Sequence, residues 1–261
     1  MAGEQSLDMK VKIDETIRKR DIIKVLSYPK GDLEYALEVV RELKDQKIEE
    51  LVFTGNVKIN KIQVLGKGTT SLVLKGTRLG ETVALKILRV DANRETLELE
   101  ADNLKIANGV GVGPNLISHG CRSLIMEYVD GRPILDFLKH IFEEHKIEDL
   151  KTVFKKSLIQ AFHLDRVSLD HGELSHANKH IFVIPENEVK IIDFESASTK
   201  RKPSNLTSLT QFFLIRNEYA SKIRESLGIK DLGNLFQLLR KYKKEKTSNN
   251  FKLILRELNL L

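Results

Sequence analysis

A polar loop followed by a hairpin pattern is the feature that most constrains how this chain can fold. Residues 171–198 read HGELSHANKHIFVIPENEVKIIDFESAS. The runs IFVI and EVKIID are rich in β-branched residues and flank the turn-like PEN, which predicts an antiparallel hairpin over 181–193. Because a hairpin returns the chain to its starting point, Asp193 is expected to come back beside Asn178.

The polar groups that this hairpin would bring together are suited to phosphate chemistry. An amide oxygen of Asn178 and a carboxylate of Asp193 are hard oxygen donors of the kind that Mg²⁺ uses when it bridges phosphates. Glu173 lies five residues before Asn178 and is placed to accept a proton from a hydroxyl that attacks a phosphate. The alternative is a satisfied polar loop with a chance acid. The histidines of the stretch lack the spacing of a zinc site.

The pattern of the chain changes from helical to β-rich and then to mostly helical. Residues 14–27 predict one helix, and a second amphipathic helix is expected after Asp32, a candidate N-cap. Short β-rich runs separated by Gly-containing turns begin near residue 51, followed by a helix predicted over 91–108. After two more strands, helices predominate from about residue 133. The helix predicted over 151–165 carries an apolar face of Val153, Phe154, Leu158, Ala161 and Phe162, which we expect to pack into the helical part.

This order predicts an α+β fold with two lobes and a ligand-binding cleft between them. We expect a helical N-terminal extension at 1–50, a β-rich N-lobe at 51–130 and a small helical C-lobe at 131–261. Part of a winged-helix module is an alternative for the extension, but its two helices favour a segment that caps the lobe.

The composition is that of a globular protein with a heavily charged surface: 41% of the 261 residues are hydrophobic and 31% are charged. No apolar run approaches the length that crosses a bilayer, and MAGEQSLDMK lacks the apolar core of a signal peptide. Cys121 is the only cysteine, which favours a cytoplasmic location. The net charge of +6 favours anionic partners such as nucleotides, acidic proteins or RNA.

The glycine-containing stretch LGKGTTSLV, at 65–73, lies between strand-like runs. Gly66 and Gly68 would let backbone N–H groups approach phosphates closely. Taken alone, the stretch fits an ordinary hairpin turn equally well.

Lys86 lies in the otherwise apolar run VALKILR, where an ammonium group needs a partner. Glu100, in the helix that follows, is the candidate partner, with Glu95 and Glu98 as rivals. An edge-strand lysine facing water is the alternative. The run LIMEYVDG, at 124–131, then ends a strand at the connector between the lobes, where backbone groups can hydrogen-bond an adenine edge.

Together these motifs resemble the protein-kinase-like fold, from about residue 56 to at least residue 200. The Gly-rich loop, the VALK lysine, the helix glutamate, the MEYV hinge, the H-G-E-L-S-x-x-N catalytic loop and the I-D-F-E metal loop occur in the family order. Several motifs in order are far more specific than any one of them.

Within this superfamily the chain is most similar to the RIO family and to the kinase of the tRNA threonylcarbamoyl-modifying complex. Ser71 stands where typical kinases have the third glycine, and Ser175 stands where typical Ser/Thr kinases have a lysine. No A-P-E motif follows the metal loop. A related archaeal group of predicted Ser/Thr kinases shares the I-D-F-E-S ending.

The resemblance implies an ATP site on the N-lobe. Gly66, Gly68 and Ser71 would cover the phosphates of ATP, and Lys86, held by Glu100, would pair with the α- and β-phosphates.

For adenine, the resemblance implies backbone contacts from Glu127 and Val129, while Val73 and Ala84 would pack against the face of the ring.

For catalysis, the resemblance implies that Glu173 is the base and that Asn178 and Asp193 hold Mg²⁺. Two residues depart from the usual pattern. Glu173 replaces an aspartate and is one methylene longer, and Glu195 replaces the glycine of D-F-G, which limits backbone freedom there.

We therefore expect an ATP- and Mg²⁺-dependent Ser/Thr protein kinase of the atypical, RIO-like kind, acting on a protein substrate. The alternatives are a choline-kinase-like phosphotransferase acting on a small molecule and a catalytically weak ATP-binding scaffold. A nucleic acid or ribonucleoprotein is a further candidate partner, and no membrane partner is expected. The basic run KRKP follows the metal loop closely, so the nearby hydroxyls are candidate autophosphorylation sites: Ser196, Ser198, Thr199 and Ser204.

Overall fold

The computed structural model describes residues 8–261, so residues 1–7 of the predicted extension lie outside the described part. The chain divides into two compact units. The first contains the residues up to Asp102 together with Asn115–Tyr128, and the second contains Asn103–Pro114 and Val129–Leu261. The first unit is rich in strands and the second in helices, which confirms the predicted α+β class.

Antiparallel strands dominate the first unit: β1 (Met9–Lys12), β2 (Ile48–Phe53), β3 (Val57–Ile59), β4 (Ile62–Val64), β5 (Gly66–Lys67), β6 (Ser71–Arg78), β7 (Glu81–Leu88), β8 (Leu116–His119) and β9 (Ser123–Glu127). The main sheet has the order β1-β2-β6-β7-β9-β8, with β5 paired to β6, while β3 and β4 form a separate two-stranded sheet. The helices of the unit are α1 (Arg20–Leu26) and α2 (Leu33–Asp45), and α3 (Glu98–Asn108) begins in this unit.

The N-terminal segment is built into the first unit. Its strand β1 pairs with β2, and β2 pairs with β6 of the main sheet. The boundary expected after residue 50 therefore falls inside β2. Helices α1 and α2 share a hydrophobic core with the sheet, whose fully buried members include Ile22, Val25, Leu26, Val39, Leu43, Leu51, Leu72, Leu74, Leu85, Ile87 and Ile125.

Two predicted helices have different bounds in the structure. The helix expected over 14–27 is divided into a 3-10 helix, Ile13–Arg18, and α1, because Lys19 between them has extended backbone angles. The helix expected over 91–108 begins only at Glu98. The preceding residues form a loop in which the Arg89 guanidinium binds the Asp91 carboxylate through two hydrogen bonds of 2.9 and 2.7 Å.

The N-cap prediction for α2 is confirmed. The Asp32 side chain accepts a hydrogen bond of 3.0 Å from the backbone N–H of Tyr35, which satisfies one of the donors that a helix start leaves without an intrahelical partner.

The second unit consists mainly of helices around a small three-stranded sheet. The helices are α4 (Ile134–Glu144), α5 (Ile147–Arg166), α6 (Asn205–Gln211), α7 (Ala220–Ser226), α8 (Gly233–Lys244) and α9 (Ser248–Glu257). The strands are β10 (Arg132–Pro133), β11 (Ile181–Ile184) and β12 (Glu188–Ile191). The predicted hairpin is confirmed, and the apolar face expected on α5 is buried: Val153, Phe154, Leu158, Ala161 and Phe162. Within residues 8–261, no helix combines the length and apolar character needed to cross a bilayer.

The shared core predicts that α2 is essential to the stability of the first unit. We expect Leu43→Ala to lower the free energy of unfolding by about 2–5 kcal/mol, because Leu43 is fully buried and its loss leaves a cavity. Leu33→Ala, at a half-exposed position of the same helix, should change it by no more than about 0.5 kcal/mol. Urea unfolding of both variants measures the difference. Equal effects would show that α2 lies on the sheet without contributing to its core.

Candidate active site

In the first unit, Lys86 on β7 forms a buried ion pair with Glu100 on α3. Lys86 Nζ lies 2.7 Å from Glu100 Oε1, and each residue is only 3% exposed. A buried charge is tolerated only where a partner of opposite charge compensates for lost hydration. The structure thus brings together the lysine and the glutamate that the sequence suggested, while their role toward ATP stays a prediction.

Three of the predicted nucleotide-binding residues lie on one face of the sheet. Val73 on β6 is directly opposite Lys86 on β7, and Ala84 is two residues from Lys86. Side chains alternate between the faces of a strand, so Val73, Ala84 and Lys86 share a face, while Leu74 and Leu85 point into the core on the other. The apolar face of the sheet is covered by the N-terminal helices, and the opposite face carries the lysine.

The glycine stretch forms a tight hairpin between β5 and β6. Gly66 pairs with Val73, and the N–H of Gly68 donates to the carbonyl oxygen of Ser71 at 2.8 Å. This geometry is compatible with both interpretations of the stretch: an ordinary hairpin turn, and a loop whose backbone N–H groups approach phosphates. Ser71 is 1% exposed, so the predicted contact with phosphates would have to come from its backbone.

Tyr28, which follows α1, contacts this hairpin. Lys67 Nζ donates to the Tyr28 hydroxyl at 2.6 Å and lies 4.7 Å from the ring centroid. The Arg89 guanidinium stacks on the same ring at 5.1 Å and donates to the carbonyl oxygen of Gly68 at 2.8 Å. The N-terminal segment therefore stabilises the glycine hairpin through Tyr28, and we refer to these contacts as the Tyr28 brace. No pattern in the sequence indicated them.

At the end of β9, Glu127 is hydrogen-bonded to Asn115, which limits how it could contact adenine. The backbone N–H of Glu127 donates to the carbonyl oxygen of Asn115 at 2.9 Å, and its side chain accepts from the Asn115 N–H at 3.0 Å. A contact of this residue with adenine would therefore use its carbonyl oxygen. Val129, the other predicted contact, is half-buried in the irregular segment after β9 and belongs to the second unit.

In the second unit, the predicted catalytic loop and metal loop meet at the start of the β11–β12 hairpin. Glu173 immediately precedes a 3-10 helix, Leu174–Lys179, that contains Asn178. The hairpin pairing extends beyond the strands, because the N–H of Ile192 donates to the carbonyl oxygen of His180 at 2.9 Å. Asp193 therefore leaves the hairpin at the end where the Asn178 helix enters it.

The imidazole of His180 lies close to both predicted carboxylates and within hydrogen-bond distance of one of them. Its Nε2 lies 2.8 Å from Glu173 Oε2, and its Nδ1 lies 3.9 Å from Asp193 Oδ2. Ser196 donates its hydroxyl to the other carboxylate oxygen, Oε1, of Glu173. Asp193 has a φ of 69°, a left-handed conformation that is uncommon for a non-glycine residue and is found preferentially at functional sites.

Behind this group lies a second histidine. His171 is fully buried, its Nε2 lies 3.0 Å from the carbonyl oxygen of Ile192, and its ring packs edge-on against His180 at 5.4 Å. Burial, with neighbouring His180 as the second cause, lowers the pKa of His171 to about 4. The His171 imidazole is therefore neutral at pH 7 and adds no charge behind the carboxylates.

A buried carboxylate anchors the loop that leads to Glu173. Asp165 on α5 accepts hydrogen bonds from the Asn205 backbone and side chain, each at 2.9 Å, and from the Tyr242 hydroxyl at 2.9 Å. Asn205 in turn accepts from the N–H of His171 at 2.8 Å. Burial raises the pKa of Asp165 and that of Tyr242. This network holds the loop at a fixed distance from the helical core.

The oxygen donors at this end of the hairpin fit a divalent cation. Asp193 and Glu195 each offer a carboxylate oxygen, and these two oxygens lie within 4.8 Å of each other. Carboxylate oxygens are the hard donors that Mg²⁺ prefers, and the predicted amide ligand Asn178 lies in the 3-10 helix that enters this end of the hairpin. Glu195 was not among the predicted ligands, although the spacing D-x-E in the sequence places a second acid two residues after Asp193.

Comparisons with known proteins give distant relatives. The chain is 29% identical over 179 residues to mitogen-activated protein kinase kinase 2 of Arabidopsis thaliana, covering 64% of this chain and 47% of the plant protein. It is also 26% identical over 121 residues to an uncharacterized protein of Methanocaldococcus jannaschii, covering 46% of this chain and 99% of the archaeal one. A scan against protein-family models found no match.

The match to the plant protein suggests a protein-kinase-like fold, and the α+β structure is compatible with a bilobal fold of that kind. It supports a kinase-like phosphotransferase, and this relationship suggests ATP and a divalent metal as cofactors. The chain spans about half the length of the plant kinase. The narrower similarity to the RIO family and to the tRNA-modifying kinase stays a prediction.

The buried ion pair predicts that neutralising Glu100 strongly lowers the stability of the protein. We expect Glu100→Gln to lower the free energy of unfolding by about 3–5 kcal/mol, because the Lys86 ammonium would stay buried without the carboxylate. The double variant Lys86→Met/Glu100→Gln should regain part of that loss, since it removes the buried charge as well. Glu98→Gln, on the exposed face of the same helix, is the control. A Glu100→Gln variant as stable as the control would contradict the ion pair.

Proposed function

We propose that this protein is an ATP- and Mg²⁺-dependent Ser/Thr protein kinase of the atypical, RIO-like kind. The observation that supports the proposal most is the buried Lys86–Glu100 ion pair on the sheet face that also carries Val73 and Ala84. An ammonium held at a fixed place by a carboxylate is suited to neutralising phosphate oxygens.

The proposal gives the first unit the task of binding ATP. Lys86 would pair with the α- and β-phosphates, and the backbone of the β5–β6 hairpin would cover them. Gly66 and Gly68 have no side chain that would separate the backbone from a phosphate. The apolar surfaces of Val73 and Ala84 would contact the adenine ring.

The second unit would supply the groups for phosphoryl transfer. Glu173 would accept the proton of the attacking Ser or Thr hydroxyl while its oxygen forms a bond to the γ-phosphorus, and ADP would leave with the electrons of the broken bond. Asn178 and Asp193, with Glu195 beside them, would hold Mg²⁺. The bound metal ion would neutralise the charge of the phosphates.

The substrate class and setting are part of the proposal. A protein with an exposed Ser or Thr is the proposed acceptor, and the excess of basic residues favours an acidic one. An RNA or ribonucleoprotein would also complement this charge. The single cysteine is consistent with the proposed cytoplasmic location.

Transfer of label from γ-labelled ATP tests the function. With Mg²⁺ and a generic acceptor protein, we expect transfer by the unaltered chain, its loss in Asp193→Ala, and a decrease of about 100- to 10,000-fold in Glu173→Ala, the range that removal of a general base produces. Glu143→Ala, an exposed acid on α4, should leave the rate unchanged.

Three other outcomes would replace the proposal. Labelling of a small hydroxylated metabolite but of no protein would indicate a small-molecule phosphotransferase. ATP binding without transfer, unaffected by Glu173→Ala, would indicate a nucleotide-binding scaffold. Full activity of Glu173→Ala with loss in Asp193→Ala would show that a different group takes the proton.

The Tyr28 contacts predict that the N-terminal segment affects the affinity for ATP. We expect Tyr28→Ala to raise the Kd for ATP by at most about five- to thirtyfold, because it releases both Lys67 and Arg89 from the ring, and each such cation–π contact is worth about 0.5–1 kcal/mol. Tyr28→Phe keeps the ring and should have a smaller effect. Titration calorimetry measures both, and an unchanged Kd in Tyr28→Ala would contradict a role for the brace.

A further inference from the structure

Both carboxylate oxygens of Glu173 are engaged by side chains of the second unit. Oε2 lies 2.8 Å from His180 Nε2, and Oε1 accepts a hydrogen bond from the Ser196 hydroxyl. Glu173 remains 41% exposed in its side chain, so this contact is at the surface of the unit. A hydroxyl that donates to the carboxylate of a general base has the arrangement of a phosphoacceptor before reaction.

Backbone contacts hold Ser196 in this place without help from its hydroxyl. Asp170 and Ser198 form an isolated antiparallel bridge, with N–H to carbonyl distances of 3.0 and 2.8 Å in the two directions. Arg201 donates its Nε–H to Asp170 Oδ2 at 2.9 Å, and it donates a second N–H to the carbonyl oxygen of Ser196. The segment that carries Ser196 is therefore tied to the catalytic loop at two points.

Gly172 allows the two segments to approach closely. Its φ is +90°, which a side chain disfavours, and a Cβ there would lie 2.9 Å from the carbonyl oxygen of Ser196. The glycine of the H-G-E motif thus has a local structural reason: it lets Ser196 reach the carboxylate of the next residue.

The other candidate hydroxyls make different contacts. Ser198 Oγ accepts from the N–H of Lys200 at 3.1 Å, and Ser204 Oγ lies 3.3 Å from Ser208 Oγ. Thr199 is exposed. Of these four hydroxyls, that of Ser196 is the one that donates a hydrogen bond to the proposed base, Glu173.

We propose that Ser196 is an intramolecular phosphoacceptor, an inference that rests on the proposed kinase function. The Ser196 Oγ forms a bond to the γ-phosphorus of ATP as the bond from that phosphorus to the β-phosphate oxygen breaks. The hydroxyl proton passes to Glu173, and ADP leaves with the bonding electron pair. The products are phosphoserine 196 and ADP, and the proton on Glu173 is released to solvent.

The same contacts predict that the modification limits the kinase. Phosphoserine carries a charge of about −1.5 to −2 at pH 7, and the Arg201 guanidinium, already bonded to the Ser196 backbone, is placed to pair with it. A phosphate beside Glu173 would occupy the place where an acceptor hydroxyl from another protein must donate. Phosphorylated chains should therefore transfer phosphate to other proteins more slowly than unmodified chains.

Incubation of the purified full chain with Mg²⁺ and ATP, followed by phosphosite mapping and a series of protein concentrations, tests the inference. We expect phosphate on Ser196 and a first-order rate constant that does not depend on protein concentration. Ser196→Ala should lose this phosphopeptide and transfer more label to a generic acceptor protein, because the competing hydroxyl is gone. Ser198→Ala, the matched control two residues away, should keep the Ser196 phosphopeptide and an unchanged rate of transfer.

The outcomes separate this inference from the proposed function. Transfer to the acceptor protein with Ser196 unmodified would overturn the inference and leave the kinase function standing. A rate of Ser196 modification that rises with protein concentration would overturn the intramolecular step. Loss of acceptor labelling in Ser196→Ala, with an unchanged Kd for ATP, would show that Ser196 positions Glu173 instead. Absence of label on every protein would overturn both proposals.

Discussion

The burial of one ammonium group constrains the first unit more than any other single interaction. Lys86 sits in the middle of a strand whose neighbours are apolar, and it is 3% exposed. The carboxylate of Glu100 on α3 compensates for the hydration that this charge loses, so the position of α3 against the sheet is tied to the charge of Lys86. Replacing such a pair with apolar side chains is often neutral or stabilising. A buried ion pair on a sheet face is therefore weak evidence that the pair stabilises the fold, and stronger evidence that it has a functional role.

The elements that sequence reasoning predicted well are those with a strong local signal. The apolar face of α5 repeats at helical spacing over about three turns, the PEN turn separates two β-branched runs, and Asp32 stands at a recognisable cap position. Contacts between distant segments had no such signal. Strand β1 is four residues long and gains its partner only from β2, about forty residues later, so its pairing could not be read from its own pattern.

The candidate site residues could be inferred from the sequence by similar reasoning, and their roles stay predictions. The residue types and their order indicated Lys86, Glu173, Asn178 and Asp193. Each is a charged or amide residue whose side chain suits phosphate or metal binding or proton transfer. The groups that position them were missed, because their effect depends on a meeting of distant loops. Tyr28, which contacts the glycine hairpin, and Asp165, which anchors the loop that leads to Glu173, are examples. Both look like ordinary helix or turn residues in the sequence.

The two departures from the usual kinase pattern have a common physical consequence in this structure. A glutamate in place of aspartate adds a rotatable bond, and a mobile carboxylate would be a poorly placed base. Here His180 Nε2 lies 2.8 Å from Glu173 Oε2, a contact that restricts the longer side chain and leaves the other carboxylate oxygen to accept from the Ser196 hydroxyl. The approach of Ser196 depends on Gly172 in the loop, and Glu195 is the residue immediately before Ser196. The longer acid and the changed residues after Asp193 thus form one arrangement, in which the segment after Asp193 brings a hydroxyl to the carboxylate of Glu173.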